Sequence, residues 1–191
     1  MKKKSLKTKV FILLGLVIGQ LVVMADDQVD DLNEIHKISA VEEDAVTDLD
    51  EAVDFGAAWK VYERMKARDA NSVYTKYAMT EMASLALELP ISDESEKMWK
   101  TLLNDAGNSS DWSSVFVRGF YIWELSNREA LGVDHGSKIQ AATLLSGIDN
   151  EVLSQSLERE KLIINASGAT QKIEGTEVQI LLGVIAKIKN K

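Results

Sequence analysis

A single proline in 191 residues, at position 90, limits this chain more than any other feature. No long stretch alternates apolar and polar residues in the period-two manner of a strand, whereas apolar residues recur at three- and four-residue steps from residue 55 onward. Phe55, Trp59, Tyr62 and Met65 mark one helical face ending near Arg68. Val73, Tyr77, Met82, Leu85 and Leu89 mark a second, stopped by Pro90, whose ring cannot continue a helix. Ser92 is placed to cap a third, with Met98, Trp99, Leu102 and Leu103 inward and Gly107 as its stop. Asp111 can cap a fourth that carries Trp112, Phe116, Phe120 and Trp123.

Beyond the glycine-rich "LGVDHGS" at 131–137, Ser137 and Gln140 form a capping box for a short helix through Leu145. Asn150 begins another, with Val152, Leu153, Leu157 and Ile164 inward. Thr176 and Gln179 open the last, ahead of Ile180, Leu181, Val184, Ile185 and Ile188. The expected fold class is all-α, with about seven helices. Predicted starts near 71, 111 and 150, and near 92, 137 and 176, give pairs of roughly 40 residues, the size of α-solenoid units. No residue pattern repeats at that period. Two packings therefore stand: an irregular bundle, or a short α-solenoid-like stack of helix pairs.

The beginning of the chain reads as an address. Lys2, Lys3, Lys4, Lys7 and Lys9 precede a 15-residue apolar run from Val10 to Met24, broken only by Gln20, and Val23 and Ala25 put small residues at a cleavage position. A spanning helix needs roughly 20 apolar residues to cross about 30 Å of hydrocarbon. Residues 1–25 are therefore read as a bacterial-type signal peptide cut after Ala25, for a periplasmic or secreted protein. The alternative is an uncleaved signal-anchor, in which Gly15 and Gly19 would pair membrane helices. The absence of cysteine excludes disulfides and a lipid-attachment residue, so stability has to come from core burial.

Charge narrows the partners. The chain has 22 basic and 30 acidic residues; five lysines lie in the first 25, leaving 17 against 30, a net of −13. That balance argues against nucleic acid and against anionic membrane surfaces, both of which need clustered Lys and Arg. Residues 26–54 hold twelve acids and one base, Lys37. Like-charge repulsion and sparse apolar residues there predict an acidic mobile tail over 26–38, followed by a single all-helical domain over 39–191 that Ser39 and Glu42 would open with a capping box.

Candidate chemistry is thin. "DDQVDD" and "DLDEAVD" carry carboxylates, but the first lies in the acidic tail and the second lacks the glycine of a calcium loop. Only two histidines exist, His36 and His135, so no multi-histidine zinc site is possible, and neither a metal nor a cofactor is expected. Carboxylates around His36 would favour its protonated form. Asp134, His135 and Ser137 share a glycine-flanked loop, a minor candidate site. The strongest local feature is the aromatic stripe Trp112, Phe116, Phe120 and Trp123, with Arg118 beside it; it reads first as core and second as a ligand platform. The functional expectation is a non-enzymatic helical binding protein of the bacterial envelope, with another protein as its partner. Alternatives are an envelope hydrolase using carboxylates such as Glu124 or Glu81, and a small-molecule or lipid carrier.

Overall fold

The structure, a computed structural model, describes residues 26–39, 54–130, 143–144, 146–170 and 173, with 126–130 given by backbone alone. Among these residues the fold is all-α, with six helices and no strand. They are α1 (26–39), α2 (Phe55–Asp69), α3 (Val73–Ala86), α4 (Asp93–Ala106), α5 (Trp112–Ala130) and α6 (Asn150–Ala166). The helices expected over 137–145 and 176–188 lie outside the described residues, except for helical residues 143–144, as do the expected signal segment over 1–25 and residues 40–53. No described helix is long and apolar enough to cross a membrane.

Capping chemistry sets most of the helix starts. The Asp54 carboxylate accepts from Ala57 N–H at 2.9 Å, and Ser72 Oγ accepts from Thr75 N–H at 3.0 Å. Ser92 and Ser95 cap reciprocally, each hydroxyl accepting from the other's backbone N–H. Asp111 accepts from Ser114 N–H at 3.0 Å, and Asp149 accepts from Glu151 and Val152. Gly107 ends α4 in a positive-φ conformation (φ 59°) that only glycine adopts cheaply, its N–H returning to Leu103 C=O. Helix α3 stops at Ala86, before Pro90: Leu87 and Glu88 already bond three residues back, tightening the chain into a turn.

Helix α3 is the hub, packing against α2, α4, α5 and α6. Its contact with α6, and the seating of α1 beside the turn after α6, join elements distant in sequence. A solenoid joins only neighbouring repeats, so the packing is that of a bundle and the repeat-stack expectation is set aside.

Helix α1 corrects the expected mobile tail. Leu32 and Ile35 are fully buried and belong to the main core. Two of its acids, Asp31 and Glu34, are paired across the interface with α2: Arg64 reaches Asp31 and Glu34 at 2.6 Å each, and Arg68 reaches Asp31 at 2.9 Å. Two apolar residues three apart suffice to seat a helix when the adjacent carboxylates meet guanidinium groups instead of one another. Ser39 accordingly is no helix start. It sits inside α1, and its hydroxyl donates to His36 C=O at 3.0 Å.

Candidate binding clefts

The aromatic stripe on α5 divides along its length. Trp112 is buried, stacked on Tyr77 (6.3 Å between centroids) and tilted against Phe116 (4.8 Å). Phe116 and Phe120 are half-buried and meet edge to face at 4.4 Å. Trp123 is 58% exposed, which overturns its core assignment. Eleven residues of helix bring it back to the azimuth of Trp112 but carry it about 16 Å further along the axis. The α6 bonds lie at the other end: Trp112 N–H donates to Ser156 Oγ at 2.7 Å and Ser113 Oγ to Glu160 at 2.5 Å.

Arg118 is buried, and its guanidinium serves the main chain. It donates to the carbonyls of Ser114 (3.2 Å), Leu144 (3.1 Å) and Ser109. Burial disfavours its charged form, and the three carbonyls supply the compensating acceptors. It positions the turn before α5 against the chain leading to α6. Asp134, His135 and Ser137 lie outside the described residues.

One open cleft of about 820 Å³ lies between α1 and α3, lined by Asn33, His36, Lys37 and Ser39 on one side, by Glu81, Ser84, Leu85 and Glu88 on the other, and by Thr170. The hydrogen bonds fix the tautomer of His36. Asn33 Oδ1 accepts from Thr170 N–H (2.8 Å) and from Thr170 Oγ1–H (3.1 Å), so the threonine oxygen has only lone pairs left for His36 Nδ1 at 3.3 Å. Nδ1 therefore carries the proton, and Nε2 is the bare nitrogen, 3.9 Å from Glu81 Oε1 and without a hydrogen bond. Contrary to the expectation from nearby acids, burial pulls the imidazole down to about 4, because desolvation outweighs the carboxylate. Thr170 does not give its proton to the ring, so His36 is not arranged as the base of a nucleophilic hydroxyl.

A second cleft, of about 280 Å³, opens where α2, α3, α4 and α5 meet. Lys66 pairs with Asp105 at 2.7 Å and Lys76 with Asp111 at 3.2 Å on its walls. Tyr62 O–H donates to Asp105 at 2.9 Å, and burial together with that carboxylate keeps the phenol protonated. Burial alone would push Asp111 up, but hydrogen bonds with Ser109 and Ser114 and the Lys76 ammonium hold it below the usual carboxylate range.

Of the two acid/base candidates, Glu81 lines the first cleft, whereas Glu124 is buried on α5 and lines neither. The four stripe aromatics line neither cleft. Among the described residues no group of three or more His, Asp or Glu side chains is placed to hold a metal ion.

One strongly perturbed carboxyl among the described residues was not among the candidates. Glu160 on α6 is fully buried, accepts from Ser113, and is pushed up to about 7 by burial. Its position was readable: Leu153, Leu157, Glu160 and Ile164 form one helical stripe, in which a lone acid stands where a core residue belongs. The described residues thus form an all-helical bundle that carries these clefts. Comparison of the chain with protein-family models, curated proteins and solved structures finds no match.

Proposed function

We propose that this protein is an exported helical binding protein of the bacterial envelope that receives a basic segment of another protein in the α1–α3 cleft. The observation that carries this reading is the cleft itself. It is open, about 820 Å³, and its α3 side presents Glu81 and Glu88 with Leu85 between them. Opposite stand Asn33, His36 and Lys37, the one lysine of the lining. Two carboxylates against one ammonium give the lining a net negative charge, which a lysine- or arginine-bearing segment complements. Export is supported by the basic, apolar and small-residue succession of residues 1–25. The Thr170 hydroxyl donates to the amide oxygen of Asn33 and not to a base, which favours binding over hydrolysis.

A photo-crosslinking residue at position 88, introduced in cells, tests the reading. A discrete adduct is expected that carries a basic segment at the crosslink and disappears with Glu81→Lys. No adduct at 88, or an equal one from a control position such as 162 on α6, rejects it. Terminal sequencing of the same adduct reads the chain start, and retention of residues 1–25 on membranes would reject the cleaved form.

A further inference from the structure

The smaller cleft has the charge arrangement of a different kind of site. Its walls alternate in sign: Lys66 from α2, Asp105 from α4, Lys76 from α3 and Asp111 from the entry of α5. Helix ends add to this pattern. The first turn of α3 carries no acid, so its dipole leaves the Ser72-capped start of the helix electropositive beside Asn71 and Thr75. The last turn of α4 carries no base, so its carbonyls leave a negative end beside Asp105 and Ala106.

The four charged groups are not equivalent. Both aspartates are held by second partners, Asp105 by Tyr62 and Asp111 by Ser114, which fixes their carboxylates before anything binds. The lysines are held less. Lys76 has one acceptor, Asp111, while Lys66 has Asp105 and a distant Glu63 at 3.8 Å. An ammonium offers three donors, so each lysine keeps capacity for another anion, and both are about a quarter exposed, Lys66 at 29% and Lys76 at 26%. Met79, Ala70 and Ala106 give the cavity an apolar share with little bulk. At about 280 Å³ it falls just below the range of drug-sized pockets, roughly 300–1,000 Å³, and suits a small metabolite.

We propose that this cleft binds a small zwitterion, the free α-amino acid class, with its carboxylate toward Lys66, Lys76 and the start of α3 and its ammonium toward Asp105 and the end of α4. Each wall cation already faces a wall anion, Lys66 with Asp105 and Lys76 with Asp111, so a simple anion or a simple cation would add an unbalanced charge to a neutral wall, whereas a zwitterion adds none. The site is separate from the α1–α3 cleft and stands whether or not that cleft binds a protein.

Calorimetric titration and saturation-transfer NMR on the intact protein decide the matter, with glycine, L-alanine, L-serine and L-glutamate as probes and acetate and methylammonium as controls. At least one amino acid should bind, and acetate and methylammonium should each bind at least about tenfold more weakly, the effect of losing one charged contact. Lys66→Met and Lys76→Met should each weaken amino-acid binding by about tenfold or more, with circular dichroism confirming that the variants are folded. Acetate binding as tightly as the amino acids, lack of saturation transfer from all four amino acids at millimolar concentration, or unchanged affinity in both folded lysine variants would overturn the proposal. Should a variant not fold, the comparison of amino acids with acetate and methylammonium on the wild type decides alone.

Discussion

His36 on α1 and Glu160 on α6 share one predicament. Each is buried, each has one hydroxyl partner (Thr170 and Ser113), and each leaves one polar atom, Nε2 or Oε1, without a hydrogen bond. Burial favours the neutral form of both, pulling the imidazole down to about 4 and pushing the carboxyl up to about 7. One is a base and the other an acid, so the same physics gives opposite pH dependence. The folded pKa of His36 lies below its ordinary 6.5, so its contribution is complete above that pH and is lost as pH falls toward 4. The folded pKa of Glu160 lies above its ordinary 4.5, so its contribution is complete below pH 4.5 and is lost as pH rises through 7. Each displacement corresponds to about 3 kcal/mol. Between pH 4.5 and 6.5 the two slopes oppose, and the wild type should be nearly flat in stability there.

Four substitutions break or sharpen this comparison. Ile35→Ala removes the packing that buries the α1 side and should cost roughly 2–5 kcal/mol in chemical denaturation. A loss under about 1 kcal/mol would mean that α1 is not seated on the core, and the burial of His36 would fall with it. Glu160→Gln keeps an acceptor for Ser113 but abolishes the charge. Relative to wild type it should gain roughly 3 kcal/mol between pH 4.5 and pH 8, followed by denaturant midpoints against pH. A difference that does not change with pH would show that Glu160 is ionised in the fold. His36→Gln should erase the decline of stability on the acid side, a relative gain approaching 3 kcal/mol from pH 6.5 to 4. In the wild type the imidazole proton resonances should titrate near 4, and a midpoint near 6.5 would refute the burial argument. Trp123→Ala touches neither group and should change stability by roughly 0.5 kcal/mol or less, leaving both pH limbs in place. A loss of several kcal/mol would return Trp123 to the core.

Local chemistry was legible in the sequence and distance was not. Ser92, Asp111 and Gly107 mark helix ends with their own side chains or backbone freedom, so three or four neighbouring residues carry the whole message. The periodicity of α5 gave the azimuth of Trp123 correctly, but it says nothing about how far a partner helix runs. Counting acids in 26–38 suggested repulsion, because Arg64 and Arg68, which pair with Asp31 and Glu34, stand thirty or more residues away from them. The first cleft depends on Asn33 and His36 meeting Thr170, separations of 137 and 134 residues that no local pattern encodes. Glu160 is the exception, since its place in an apolar stripe could have drawn attention.

The fastening of Asn33 to Thr170 also fixes an order of assembly. Synthesis delivers α1 first among the described helices and the turn after α6 among the last, so α1 waits for nearly the whole chain before its clasp exists. Closing so long a loop adds little entropy over a shorter one, since that cost grows only with the logarithm of length. The delay is one of timing. Helices α2 to α5 can pair as they emerge, and the groove beside His36 is finished only when Thr170 arrives, a built-in check that synthesis has passed that residue.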